Sequence, residues 1–247
     1  MRICNNVRET IDAVINRLSH DKMAYVRFGD GELGIMAGWR DDEYHRKNPS
    51  LAKELTEAFA IEHPDFLIGA TLYPLEKGMD GNRFAYSHNE VLDTVLATSP
   101  RSREFYNPIA FHYAALFMPE TLVAFLKQLQ LSNSIIVGGA HLRGAMKFTG
   151  SKVHIETPLR DAYDEIDEIE EDIRSAIGSN NVRSVLFGCG VSAAVLQKRL
   201  RDVKDLVTID LGSTFDALLG MQTRGWINDS REMIEKLRIL SEEIVCQ

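Results

Sequence analysis

Apolar residues along the chain alternate between the spacing of a helix and that of a buried strand. Val7, Ile11, Val14, Ile15 and Leu18 recur at helical spacing and predict an amphipathic opening helix. The apolar run Met23 to Phe28 predicts a buried strand, and Leu33, Ile35, Met36 and Trp39 predict a helix just after it. Ser50 is the expected cap of a helix carrying Leu51, Leu55 and Phe59, and Phe66 to Ala70 is the expected second strand. Pro119 suits the first turn of a helix reaching Leu129. Ser134 to Val137 reads as a strand ended by Gly138-Gly139, with a helix following over 140–148. Val153 to Ile155, Val182 to Phe187 and Val207 to Leu211 are the remaining expected strands. Helices are expected over 159–177, from the Gly188 turn to Leu200, and over 229–245. Val91 to Leu96 suggests another helix, whereas Phe105 to Met118 is apolar and aromatic without selecting one element type.

Two polar stretches interrupt this order. Asp41 to Lys47 reads as a surface loop. Leu72 to Glu90 carries the breakers Gly78, Asp80-Gly81 and Asn82, and reads as a long irregular loop. Such a loop is either a plain surface connection or a substrate cover, with Arg83, Tyr86 and His88 as candidate contacts. Strands alternating with helices predict an α/β fold: a Rossmann-like, mostly parallel sheet with helices on both faces, forming a single domain over residues 1–247.

A chain of 247 residues suits one such domain with a sizeable core. Its net charge of −8 argues against a broad nucleic-acid-binding face, while a local basic patch stays open. Cys4, Cys189 and Cys246 form an odd, sparse set without Cys-x-x-Cys, which fits a reducing, cytoplasmic setting better than a disulfide scaffold. Arg2, Asn5, Asn6 and Arg8 interrupt any signal-peptide-like run, and no apolar stretch reaches the ~18 residues of a membrane span. A G-x-S-x-G elbow, a P-loop and H-E-x-x-H are all absent, and His63, His112 and His154 read as core or surface residues rather than ligands. Amphipathic helices at both ends would suit a homodimer.

The most informative chemistry lies at Gly29-Asp30-Gly31-Glu32, where the first strand should end. Ligands of open α/β sheets bind at the carboxyl ends of the strands, so two carboxylates there offer hard oxygen donors at that edge. Such donors suit Mg²⁺ or Mn²⁺, which bind through one or two carboxylates plus substrate phosphates. A simple Asp-Gly turn and an acidic helix start account for the same residues without any ligand. Gly138-Gly139, followed by Arg143, is a second candidate for holding phosphate through backbone N–H groups and a guanidinium, against the alternative of a plain strand-to-helix turn.

Arg27-Phe28-Gly29-Asp30-Gly31-Glu32 resembles the R-x-G-D-G-E signature of the GT-D-type glycosyltransferases. Ser134 to Gly139 and Ile155 to Ile169 resemble that family's middle strand and its P-x-x-x-A-[FY] segment. Val185 to Leu200, with Thr208 to Gly212, resembles its last strand-helix-strand unit. The likeness runs in order over most of the chain, although only the first motif is specific. It implies a metal-dependent enzyme that moves a sugar from a nucleotide-sugar, a UDP-hexose, to a glycan or other hydroxyl acceptor. Asp30 and Glu32 would then hold Mn²⁺ or Mg²⁺ and serve catalysis. Arg27, Gly29 and Gly31 would meet the nucleotide-sugar or orient the loop, with Gly138, Gly139 and Arg143 as secondary phosphate contacts. An inverting reaction needs a base, for which His141, Glu156, Asp161 and Glu32 itself are the candidates. The chain departs from the family at Asp161, where Asn is frequent, and at Ser213, in a segment that commonly reads Ile-Gly-His. A substrate contact at the second position would be changed or lost.

The main rival reading lies at Gly188. A strand, then G-x-G-x-x-A, a helix, and a strand ending in Asp210 match a dinucleotide fingerprint and suggest NAD or S-adenosylmethionine. That unit sits late in the chain and leaves Asp30 and Glu32 unexplained. A non-catalytic nucleotide-binding module is the third reading.

Overall fold

The structure is a computed structural model that describes residues 7–18, 22–38, 45–46, 48–70, 97 and 104–245. The expected loop over 72–90 with Arg83, Tyr86 and His88, the expected helix over 91–96, and Trp39, Cys4 and Cys246 lie outside the described residues. Among the described residues, six strands form one sheet: β1 Met23–Phe28, β2 Phe66–Ala70, β3 Ser134–Gly138, β4 Val153–Glu156, β5 Ser184–Gly188 and β6 Val207–Asp210. Their order is β2-β1-β6-β5-β3-β4, and every pairing is parallel. The helices are α1 Val7–Leu18, α2 Asp30–Met36, α3 Pro49–Phe59, α4 Ala110–Phe117, α5 Pro119–Gln130, α6 Met146–Thr149, α7 Ile166–Asn180, α8 Ser192–Arg199, α9 Thr214–Leu219, α10 Gly225–Asn228 and α11 Arg231–Val245.

Strand residues alternate between two cores, as the two-residue period requires. Ala24, Val26 and Phe28 of β1 face a cluster built with α2, α3, α7 and α8. Met23 and Tyr25 face the opposite cluster, built with α1, α4, α5, α6, α9 and α11. Connections moving toward the β2 edge use the first face, and those moving toward the β4 edge use the second. A uniform crossover hand demands this division.

The same division creates switch points. The chain leaves β3 and β6 toward the second face, but leaves β1 and β5 toward the first. Strands whose exits diverge leave a crevice between their carboxyl ends, which is where open α/β sheets bind ligands. The ends of β1, β6, β5 and β3 form a contiguous stretch of such an edge.

Local boundaries depart from the sequence expectation in instructive ways. Asn48, not Ser50, caps α3: its Oδ1 accepts from the Ser50 N–H at 2.8 Å, and Pro49 takes the first turn. The helix expected from residue 159 begins as a short 3-10 turn, Ala162–Glu165, because Asp161 adopts φ +52 and breaks the path into it. The helix expected over 140–148 is likewise a 3-10 helix, Ala140–Ala145, followed by α6. Within the stretch that selected no element type, Tyr106 bridges to Gly69 of β2 and α4 follows. Tyr25 Oη donates to the Asn107 carbonyl at 2.6 Å, pinning this segment over the end of β1.

Candidate active site

The acidic turn lies at the carboxyl end of β1. Gly29 is the N-cap of α2, Asp30 opens the helix, and Gly31 is buried within its first turn. Glu32 Oε2 accepts the Gly29 N–H at 2.8 Å, so this side chain satisfies a helix-start donor. The capping function foreseen for an acidic residue is therefore real.

Beneath this turn lies a layer of buried polar groups. Arg27 Nε donates to the Pro108 carbonyl at 2.5 Å, and its Nη1 lies 3.6 Å from Asp210 Oδ1 at the end of β6. Arg27 is thus a strut between β1, β6 and the segment before α4, consistent with a loop-orienting role. Burial pushes the Asp210 carboxyl up to about 6, against the lowering effects of Arg27 and the Gly212 N–H. Gly212 has φ +48, and a Cβ there would lie 2.1 Å from Arg27 Nη1. Next to it, Ser213 Oγ accepts the Trp226 indole N–H at 3.3 Å and pairs with His112 Nε2 at 3.2 Å. The His112 ring stacks on Trp226 with centroids 4.8 Å apart. Burial first, then the charges of Arg27 and Arg224, hold His112 well below the usual imidazole range, so it is neutral.

The glycines at the ends of β3 and β5 have packing roles. A Cβ on Gly138 would meet Leu142 Cδ1 at 2.5 Å and the Gly188 carbonyl at 2.8 Å. One on Gly188 would meet the same Leu142 atom and Phe215. Gly190, at φ +61, makes room for the His45 ring. His45 is buried, although it belongs to a polar stretch read as a surface loop. The fingerprint glycines are therefore occupied by the protein's own side chains. Asp210, which would have to meet a ribose, is buried against Arg27. This geometry opposes the dinucleotide reading.

The base candidates have different surroundings. Glu156 lies 4.0 Å from Arg143 Nη2, and both side chains are exposed. Arg143 thus sits at the rim near β4, apart from the Gly138 packing. Asp161 accepts from Arg46 through its backbone N–H at 2.8 Å and its Nε at 2.9 Å, and the Arg46 N–H and charge hold the carboxyl below its usual range. His141, beside Gly139, places Nε2 at 3.1 Å from Asp216 Oδ1. Thr223 Oγ1 donates to Asp216 Oδ2 at 2.6 Å. Sequence reasoning missed Asp216, Thr223, Trp226 and His45. The usable signal for Asp216 was its position just after a parallel strand, where polar residues become edge groups.

No group of three or more His, Cys, Asp and Glu side chains among the described residues converges on a metal position. Asp30 and Glu32 nonetheless supply hard oxygen donors in one helical turn. That set fits Mg²⁺ or Mn²⁺ completed by substrate diphosphate and water, rather than an ion caged by protein. No described helix is long and apolar enough to cross a membrane.

The family model of the glycosyltransferase GT-D fold matches residues 25–216, which spans the acidic turn, the Arg27–Asp210 pair and the His141–Asp216 pair. Among solved structures, the chain is similar to a glycosyltransferase carrying the domain of unknown function 1792 from Streptococcus sanguinis. The TM-score is 0.69 at 22% identity, over 87% of this chain and 82% of the other. It is also similar to a structure of that domain described as having a distinct glycosyltransferase fold, with TM-score 0.62 at 21% identity, over 87% and 79% of the two chains. At these identities the likeness establishes a shared fold. No curated protein matches the chain.

Proposed function

The chain belongs to the glycosyltransferase family with the GT-D fold, and from that premise we propose that it transfers a hexose from a UDP-sugar to a hydroxyl acceptor in a Mn²⁺- or Mg²⁺-dependent reaction. The observation that carries this reading is the Asp30–Glu32 turn. It leaves β1 beside β6, at a sheet edge where adjacent connections diverge. Asp30 and Glu32 would hold the cation together with the donor diphosphate. When bound, the ion would act as a Lewis acid for the charge that develops on the leaving nucleoside diphosphate. Arg27 would orient the acidic turn from below rather than touch the donor, since its guanidinium is engaged by Pro108 and Asp210. The backbone of Gly29 and Gly31 would border the donor, with Gly139 and Arg143 farther along the rim. The acceptor is a glycan or another hydroxyl compound.

Isothermal titration with UDP, in Mn²⁺ and then in EDTA, tests this directly. The expected result is metal-dependent binding that is lost in Asp30→Ala. Binding of NAD or S-adenosylmethionine in place of UDP, insensitive to EDTA, would overturn the reading.

A further inference from the structure

We propose that His141 is the general base that deprotonates the acceptor hydroxyl, positioned by Asp216 and Thr223; this inference rests on the transferase reading. His141 lies in the 3-10 helix leaving β3, and Asp216 lies in α9, leaving β6. Both connections pass to the same face of the sheet, so their side chains meet above the carboxyl ends of β3, β5 and β6. This is the edge that also carries Asp30.

The pairing selects one ring nitrogen. His141 Nε2 is 3.1 Å from Asp216 Oδ1, while the second carboxylate oxygen is occupied by the Thr223 hydroxyl at 2.6 Å. A carboxylate so held keeps the proton on Nε2 and leaves the lone pair on Nδ1. Nδ1 makes no hydrogen bond among the described residues. It lies beside Gly139, where a Cβ would stand 3.0 Å from Nδ1, so any larger residue at 139 would cover this nitrogen. The His141 side chain is 28% exposed, so a substrate can reach it, whereas Asp216 is buried. The other candidates lack this arrangement: Asp161 is bound by Arg46, Glu156 is an exposed rim group facing Arg143, and Glu32 caps α2.

The geometry along the edge suits a donor and an acceptor side by side. β1 and β3 are three strand spacings apart, ~14 Å. A donor with its diphosphate at Asp30 and its sugar directed toward β3 would bring the anomeric carbon toward His141. His141 Nδ1 takes the acceptor O–H proton. The freed oxygen pair bonds to the anomeric carbon, and the bond from that carbon to the phosphate oxygen breaks, its electron pair leaving on UDP. Asp216 stabilises the imidazolium that results. A direct displacement of this kind inverts the anomeric centre.

The test measures UDP release from UDP-glucose and UDP-galactose with Mn²⁺ and water as acceptor, with the released sugar's configuration read by proton NMR. His141→Asn is expected to lower kcat ~100-fold or more with little change in donor KM. Asp216→Asn is expected to lower kcat at least ~10-fold, and added imidazole is expected to restore part of the activity of His141→Ala. Thermal unfolding verifies that each variant is folded. Wild-type kcat in folded His141→Asn, or a sugar released with retained configuration, overturns the inference. Metal-dependent UDP binding without UDP release by the wild-type protein overturns this inference but leaves nucleotide binding standing. Absence of UDP binding removes the transferase reading as well.

Discussion

Arg27 Nη1 and Asp210 Oδ1 lie 3.6 Å apart across the β1–β6 boundary, with side chains only 16% and 7% exposed. This pair, with the Pro108 carbonyl, fixes where β1 ends and so where Asp30 projects. Removing the guanidinium leaves a carboxyl buried without its charge partner. Arg27→Ala should therefore cost about 3–5 kcal/mol, the usual penalty for breaking a buried pair from one side. Denaturant unfolding measures it, and a loss below ~1 kcal/mol would show that the strut is dispensable.

The Asp210 carboxyl makes stability depend on pH in a definite direction. Its folded value of about 6 stands above the ordinary ~3.9. The protonated form is thus favoured by folding, and this contribution is fully present below about pH 4 and lost as pH rises through 6. The difference in unfolding free energy, wild type minus Asp210→Asn, should fall by about 2–3 kcal/mol between pH 4 and pH 7. A difference that stays flat over that range would contradict the assigned burial effect.

Gly212 allows Arg27 to pass. Its φ of +48 and the 2.1 Å approach of a virtual Cβ to Arg27 Nη1 make Gly212→Ala strained and obstructive at once. The expected cost is about 1–3 kcal/mol from the backbone alone, with a further loss of UDP affinity as Arg27 is displaced. Calorimetric unfolding and UDP titration on the same sample separate the two effects.

Glu32 has a capping role and a proposed chemical role, and two substitutions distinguish them. Glu32→Gln keeps an oxygen to accept the Gly29 N–H, so the fold should be retained while turnover falls at least ~100-fold. Glu32→Ala should lose about 1 kcal/mol of stability as well. Asp30→Asn should match the Glu32→Gln loss in turnover. Near-wild-type turnover in both Asp30→Asn and Glu32→Gln would reduce the turn to a helix start.

An acid-sensitive contact lies away from the site. Glu54 accepts from Arg199 Nε and Nη2 at 2.9 and 2.5 Å, and also meets Lys198 and Tyr163. The Arg199 hydrogen bonds, above all, hold its carboxyl at about 2. A depressed folded value contributes stability above the ordinary ~4.3, which is lost as pH falls through 2. Glu54→Gln should therefore melt a few degrees below wild type at pH 6, at roughly 2–4 °C per kcal/mol. The gap should close toward pH 2 in a scan of melting temperature against pH.

Much of the fold was legible in the sequence because short-range patterns encode it. The runs over β1, β2, β3 and β5 are continuous and apolar because a parallel sheet covered on both faces needs apolar residues in both directions. The acidic turn was visible because glycine and acidic residues mark a strand end regardless of what packs nearby. Boundaries were less legible. The α7 start depends on one residue, Asp161, taking a left-handed conformation while Arg46, distant in sequence, holds its carboxylate.

By itself, then, the sequence determined the alternation of strands and helices, the position of Asp30 and Glu32, and the resemblance that pointed to sugar transfer. Only the tertiary structure decided which polar groups meet. Arg27 meets Asp210 because β6 is inserted beside β1, and His141 meets Asp216 because β3 and β6 exit on one face. It also decided what the glycines are for: a Gly-x-Gly reads the same whether a phosphate or a side chain occupies the space, and at Gly188 and Gly190 the occupants are Leu142, Phe215 and His45. The physical reason is common to all three cases. Local sequence sets backbone conformation and which face is apolar, whereas a contact between residues from different strand-helix units depends on strand order, which no local pattern carries.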